Sequence, residues 1–184
     1  KNKVFHADYQ KDDTYKRLLA GSDVRRYYIS WNGNKWISYG PWLGAPREQR
    51  FFTSERILVK QIIDWSSKRI WASLTSEELY NTQNAFNLLA KNCLSLKYVL
   101  GILNSKLITY YHRKKYLDEF KMRFQKILIK DAKRLPIRII DNDIKEELQK
   151  YKQIMGLVDQ MLTLHKYDPK TPFEREQLER EIEA

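Results

Sequence analysis

The chain has 184 residues, 42% of them apolar, and a net charge of +11, so it can build one real core and is basic enough to attract a polyanion. No run approaches the roughly 18 consecutive apolar residues of a membrane span, and the start (Lys-Asn-Lys-Val-Phe-His) has no signal-peptide core. Cys93 is the single cysteine, which excludes a disulfide framework and a thiolate metal cage; a soluble, cytoplasmic protein is expected.

The charge is uneven along the chain. Residues 1 to 140 hold 27 Lys and Arg against 12 Asp and Glu, whereas 141 to 184 hold 7 against 11. Polyanion binding is therefore expected of the first part.

In chain order, residues 14 to 20 read as a short helix stopped at Gly21. The aromatic, β-branched run Val24 to Trp31, the turn signal Asn32-Gly33 and the run Lys35 to Tyr39 predict a β-hairpin from about 25 to 39. Pro41, Gly44 and Pro46 predict an irregular surface loop from Gly40 to Phe52. Ile57 to Ile63, broken by Lys60, reads as an interior strand with one wet position, and Arg69 to Leu74 and Ala85 to Leu89 as further strands. From Ser95 the period becomes helical, with Leu96, Val99, Leu100, Leu103, Leu107 and Tyr110 or Tyr111 on one face of a single amphipathic helix.

Pro136 marks the exit from this block, and Asp141 or Asn142 is positioned to cap a further helix. There Ile144, Leu148, Tyr151, Met155, Val158, Leu162 and His165 follow one another at alternating steps of four and three, the spacing of a coiled-coil seam. Thr171-Pro172-Phe173-Glu174 carries a capping-box signal for a second helix, continued by Leu178 and Ile182 and laid antiparallel on the first. The expected architecture is α+β: a mixed, β-rich recognition body over 1 to 140, then an antiparallel helical, coiled-coil-like arm over 141 to 184 that is truncated at its C-terminus.

Catalytic patterns are scarce. The sequence has no glycine-rich phosphate loop, no His-Glu-x-x-His, no Cys-x-x-Cys and no Gly-x-Ser-x-Gly, and His6, His112 and His165 have no metal-ligand spacing. Glu119 and Lys121 match the Glu-x-Lys pair of metal-dependent nucleases, a pattern short enough to arise by chance. The affirmative signal is arginine, lysine, amide and aromatic residues mixed on hairpins and loops, the side-chain set that forks onto phosphates and base edges. The candidate DNA-binding residues are Arg25, Arg26, Lys35 and Trp36 about the predicted hairpin; Arg47, Gln49, Arg50 and Arg56 about the irregular loop; Tyr80 and Asn81 in a polar loop; and Arg113, Lys114 and Lys115 at the end of the amphipathic helix. The alternative is an interaction module assembled through the heptad helix, its basic surface incidental.

Leu18-Leu19-x-Gly21-x-Asp23-Val24-x-x-Tyr27, then Ser54-Glu55-Arg56-Ile57-Leu58-Val59, then Leu100 to Leu107 (Leu-Gly-Ile-Leu-Asn-Ser-Lys-Leu), Leu135-Pro136-Ile137 and the terminal heptad helix resemble, in that order, the TaqI-like C-terminal specificity domain. That family supplies the target recognition domain of fused restriction-modification enzymes and is similar to half of a type I restriction specificity subunit. The resemblance implies a non-catalytic body that reads a short site in double-stranded DNA, with helices packing against the methyltransferase and nuclease portion of the same parent protein. It also implies that Leu103, Leu107 and Ile137 pack and that Gly101 permits close helix approach. The parent enzymes methylate adenine with S-adenosylmethionine and often cleave DNA, for which Mg²⁺ is implied. This chain has no Asn-Pro-Pro-Tyr motif, so neither cofactor is expected within it, nor any membrane or small-molecule substrate.

Overall fold

The consecutive residues Leu18 and Leu19 are both buried, and they enter different clusters: Leu18 joins Phe52 and Tyr80, while Leu19 joins Val24, Leu58, Leu79 and Ala85. Successive side chains of a strand point to opposite faces, so a strand can satisfy both. Residues 14 to 20 are accordingly not the expected helix but carry β2 (Tyr15–Leu19), in a computed structural model that describes residues 4–64, 67–90, 94–118, 125–167, 176, 177, 180 and 181. The strand lies in a four-stranded sheet of order β1 (His6–Ala7), β3 (Trp36–Ser38), β2 and β6 (Tyr80–Asn81). The first three are antiparallel and β6 runs parallel to β2, with Leu18 opposite Tyr80.

The expected hairpin from 25 to 39 does not form. Gly33 does adopt the left-handed backbone its turn signal suggests, with φ of 84°, but β3 pairs with β1 and β2. The preceding run folds on itself instead: Val24 bridges Ile29, and the Arg25 N–H donates to the Tyr28 carbonyl at 3.0 Å. Tyr27 sits in this turn with φ of 67°, a conformation costing roughly 1–2 kcal/mol for a bulky residue. Its ring is buried in the main core and its N–H reaches the Ala72 carbonyl at 2.9 Å. Core burial therefore outweighs the ladder that local propensity favoured.

A second, antiparallel sheet has β4 (Arg56–Lys60) between β5 (Ala72–Thr75) and β7 (Ala85–Leu89). The expected interior strand is here, with Ile57, Leu58 and Val59 buried on both faces, but it stops at Lys60; Ile62 keeps only an isolated bridge to Lys126. The irregular loop after Gly40 ends in one short helix, α1 (Arg50–Thr53).

Ser105 divides the predicted amphipathic helix into α2 (Leu96–Asn104) and α3 (Lys106–Tyr116). Its hydroxyl donates to the Ile102 carbonyl at 2.7 Å and accepts from the Ile108 N–H at 3.2 Å, closing one helix and opening the next. The redirected α3 buries Ile108, Thr109 and His112, which leaves Leu107, expected in the core, 74% exposed and Tyr110 on the surface. Just before the break, the buried Asn104 side chain pairs with the Ala72 peptide in both directions, at 2.9 and 3.0 Å, in the manner of a neighbouring strand.

Residues 127 to 137, with α4 (Ile129–Ala132), close the core through Ile127 and Leu135, and Ile137 packs against them. The final long helix, α5 (Lys145–Tyr167), follows an Asp141 turn and lies on α2. Its contacting face is Tyr151, Ile154, Val158, Met161 and Leu162, rotated from the expected seam to take in Ile154 and Met161, while Ile144, expected to open the seam, precedes the helix and is exposed. The rotation is what a straight 3.6-residue helix produces when it packs on one body helix and not in a supercoil. Lys97 and Asp159 add an ion pair at 2.6 Å. The capping box at Thr171, with Leu178 and Ile182, lies outside the described residues, as do Cys93, Glu119 and Lys121. Among the described residues no helix is long and apolar enough to cross a membrane.

Two substitutions test this packing. A Cβ on Gly101 would meet the Cγ2 atoms of Ile154 and Val158 at 3.0 Å, so Gly101→Val is expected to cost about 1–3 kcal/mol by overpacking. Asn104→Ala strands the Ala72 N–H in the core and is expected to cost about 2–3 kcal/mol. Urea unfolding midpoints check both.

Candidate nucleic-acid interface

In the loop from Gly40 to Arg50 the Arg47, Gln49 and Arg50 side chains are exposed. Its backbone is nonetheless held. The Arg47 N–H donates to the Tyr39 hydroxyl at 2.6 Å, and that hydroxyl donates to the Arg47 carbonyl at 3.1 Å. The Tyr39 ring in turn packs on Phe52 and Tyr80, with centroids 5.3 and 4.4 Å away. Arg50 pairs with Glu48 at 2.7 Å and lies over the Phe51 ring. Such an exposed pair is a weak constraint, easily exchanged for a phosphate or base edge.

A second basic group surrounds Trp71. Lys60 Nζ lies 4.0 Å from the ring centre and the Arg25 guanidinium 5.3 Å, a cation-π arrangement that brings two positive charges onto one indole. Burial pulls the Lys60 amine below its usual range, the Arg25 charge adds to that, and Asp64, at 3.8 Å, opposes it. Alongside, Arg26 and Arg69 both donate to the Asn104 carbonyl, at 3.1 and 2.8 Å. Lys60 and Arg69 were not among the sequence candidates. The signal for them was a single cation in each of two runs that otherwise read as apolar strands, Lys60 in Ile57 to Ile63 and Arg69 at the start of Arg69 to Leu74.

The third group is the end of α3, where Arg113, Lys114 and Lys115 are exposed. Lys115 donates to the Tyr111 hydroxyl at 2.6 Å, a bond that raises its affinity for the proton. Cations here also favour the negative end of the helix.

The remaining candidates have structural partners. Arg56 is fully buried, its guanidinium donating to the carbonyls of Ser54, Glu77 and Leu79 at 2.8, 3.1 and 2.8 Å, so it does not face a ligand. Burial lowers its pKa to about 10, which still leaves it charged near neutrality. Tyr80 is buried on Phe52, with its hydroxyl on Glu78 and its pKa pushed up by burial to about 12. Asn81 belongs to β6 rather than a polar loop, and its amide donates to Thr82 and Ala85 and accepts from Asn87. Lys35 holds the buried Asp23 at 3.1 Å, and the Trp36 indole donates to Gly33 and packs edge-on against Trp31. The thirteen candidates thus divide into three surface groups and a set that builds the body.

A family profile matches residues 16–137, and it is the TaqI-like C-terminal specificity domain. The chain belongs to that family. The specificity-domain segment begins in β2 and ends at Ile137, so the motif residues that carry the resemblance can be read in the structure. Gly21 lies against the Asn84 backbone, where a Cβ would come within 2.8 Å; Asp23 accepts from the Ala20 N–H; and Val24 is fully buried. Among solved structures the chain is similar to the type IIL restriction-modification enzyme MmeI, determined in complex with DNA, with a TM-score of 0.66 at 10% sequence identity. The similarity covers 93% of this chain but 27% of that one, so this chain spans about a quarter of the length of MmeI. No curated protein matches. Among the described residues no three His, Cys, Asp or Glu side chains gather closely enough to hold a metal ion.

Beneath the α3 cations, His112 is fully buried and neither ring nitrogen has a hydrogen-bond partner; the Tyr116 ring lies beside it and Asp131 faces it from α4. Desolvation lowers its pKa, while Asp131 raises it by less. A base whose folded pKa is depressed contributes stability that is present above the unfolded value of about 6.5 and is lost as pH falls through the folded value. The melting temperature is expected to drop between pH 7.5 and 5 by more in the wild type than in His112→Gln, as followed by circular dichroism. Equal drops would remove His112 as the cause.

Proposed function

We propose that this chain is the sequence-specific duplex-DNA recognition module of a restriction-modification enzyme and is non-catalytic by itself. The observation that carries the reading is a specificity-domain body whose held loop presents Arg47, Gln49 and Arg50 to solvent. Arginine forks onto guanine and glutamine onto adenine in the major groove, so this loop has the side chains that direct readout requires. The Trp71 group and the α3 end supply positive charge that is suited to phosphates, which set register and carry no sequence information.

In this reading residues 1 to 140 are the reader and 141 to 184 a helical arm fixed to it through α2. The parent enzyme methylates adenine with S-adenosylmethionine and cleaves DNA with Mg²⁺, both through portions outside this segment. The assembly reading is less favoured, because α5 already turns its apolar face onto α2.

The test uses the intact parent enzyme and duplexes selected from a randomised pool. Arg47→Ala and Arg50→Ala are each expected to weaken binding to the selected duplex by about 10- to 100-fold (roughly 1–3 kcal/mol), with a smaller loss on random duplex. Lys114→Ala is expected to weaken both alike and reduce the salt slope by about 1. Equal losses on selected and random duplex for all three variants would remove the direct-readout assignment.

A further inference from the structure

Tyr39 joins the core to the basic loop. One side of its ring belongs to the aromatic group of Phe52 and Tyr80, and its hydroxyl bonds to the main chain of Arg47, once as acceptor and once as donor. The first half of the same loop has a second fastening. The Trp42 indole donates to the Ser38 carbonyl at 3.2 Å, and its six-membered ring lies so close over Gly40 that a Cβ there would fall 2.4 Å from Cη2 and 2.6 Å from Cζ2 and Cζ3. The Leu43 N–H closes the turn onto the Gly40 carbonyl at 3.1 Å. At the far end, Phe51 and Phe52 donate to the carbonyls of Glu48 and Gln49, and the Thr53 hydroxyl also reaches the Gln49 carbonyl.

Residues 44 to 50 are therefore exposed in side chain and fixed in backbone at both ends and at Arg47. A binding loop already in one conformation avoids much of the ordering cost of association. Nonspecific phosphate contact has little need of such order, because long cationic side chains adapt to the backbone; base readout depends on it.

We infer that Tyr39 is a specificity-positioning residue, whose hydroxyl sets the Arg47 main chain and thereby the aim of Arg47, Gln49 and Arg50 at base edges, with Trp42 on Gly40 as a second latch. This inference rests on the recognition role proposed above and adds to it a residue that touches no DNA.

The deciding variant is Tyr39→Phe in the intact parent enzyme, which keeps the ring on Phe52 and Tyr80 and removes only the hydroxyl. Affinity is measured for duplexes selected by the wild type and for random duplexes, together with the melting temperature and amide hydrogen exchange at residues 43 to 49. Expected are a loss of about three- to tenfold on the selected duplex, no change on random duplex, an unchanged melting temperature and faster exchange at Arg47. Gly40→Ala, which displaces the exposed Trp42 ring, is expected to give the same pattern.

If the wild type prefers its selected duplex and Tyr39→Phe matches it on both, the inference is overturned while the recognition role stands. Equal losses on both duplexes accompanied by a lower melting temperature would also overturn it, as a purely structural effect. A wild type that shows no preference overturns the recognition role and the inference with it.

Discussion

The end of α2 is the joint on which the rest of the body depends. Within two residues, Asn104 and Ser105 stop one helix, pair with the edge of β5, receive two guanidinium groups and start the next helix. A helix terminus leaves carbonyls without intrahelical partners, and burying them is costly unless donors are supplied. Arg26 and Arg69 supply charge-assisted donors to one of these carbonyls. The strained turn at Tyr27 adds its N–H to the same Ala72 carbonyl that Asn104 uses, so turn, strand and helix are fixed together.

This joint also explains where much of the positive charge goes. A surplus of Lys and Arg suggests a uniformly basic surface, yet Arg56 is enclosed by three carbonyls, and Arg26 and Arg69 close a helix end. Lys16 and Arg17 are paired with Glu78 and Glu77 at 3.3 and 2.7 Å. A guanidinium has five donors in a rigid fork, which makes it as suited to gathering carbonyls within a protein as to gripping phosphate. Composition counts both uses alike; burial separates them.

The same distinction governs what could be read from sequence. β4, β7, the Ser95 start of α2 and the presence of α5 were legible, because each has one dominant period and a clear boundary residue. The α+β class followed from them. β2 was not legible, because Leu18 and Leu19 face two clusters contributed by distant segments. The hairpin failed for a related reason: Tyr27 is taken by a core assembled from Ala72 and α2, and no local propensity reports that. Ser105 was hidden inside a periodic run whose break is visible only once its hydroxyl is seen bonding in both directions. Of the candidate site, the exposure of Arg47, Gln49 and Arg50 was legible through Pro and Gly punctuation among cations, whereas the burial of Arg56 and Tyr80 was not, because arginine and tyrosine serve cores as well as surfaces.

The residues that make the fold and the exposed residues proposed to read DNA are nearly separate sets, and their junction is through main-chain atoms. Tyr39 grips the N–H and carbonyl of residue 47, not its side chain, and Phe51, Phe52 and Thr53 bond to the carbonyls of residues 48 and 49. Side chains at 47 and 49 can therefore change without loosening the loop that displays them. A domain built in this way can acquire a new target through exposed substitutions of small stability cost, typically within about 0.5 kcal/mol, while Gly21, Asp23, Gly101, Asn104 and Ser105 remain constrained by packing. That is the physical form a specificity domain requires: a rigid scaffold whose reading surface can be altered independently of the contacts that hold it in place.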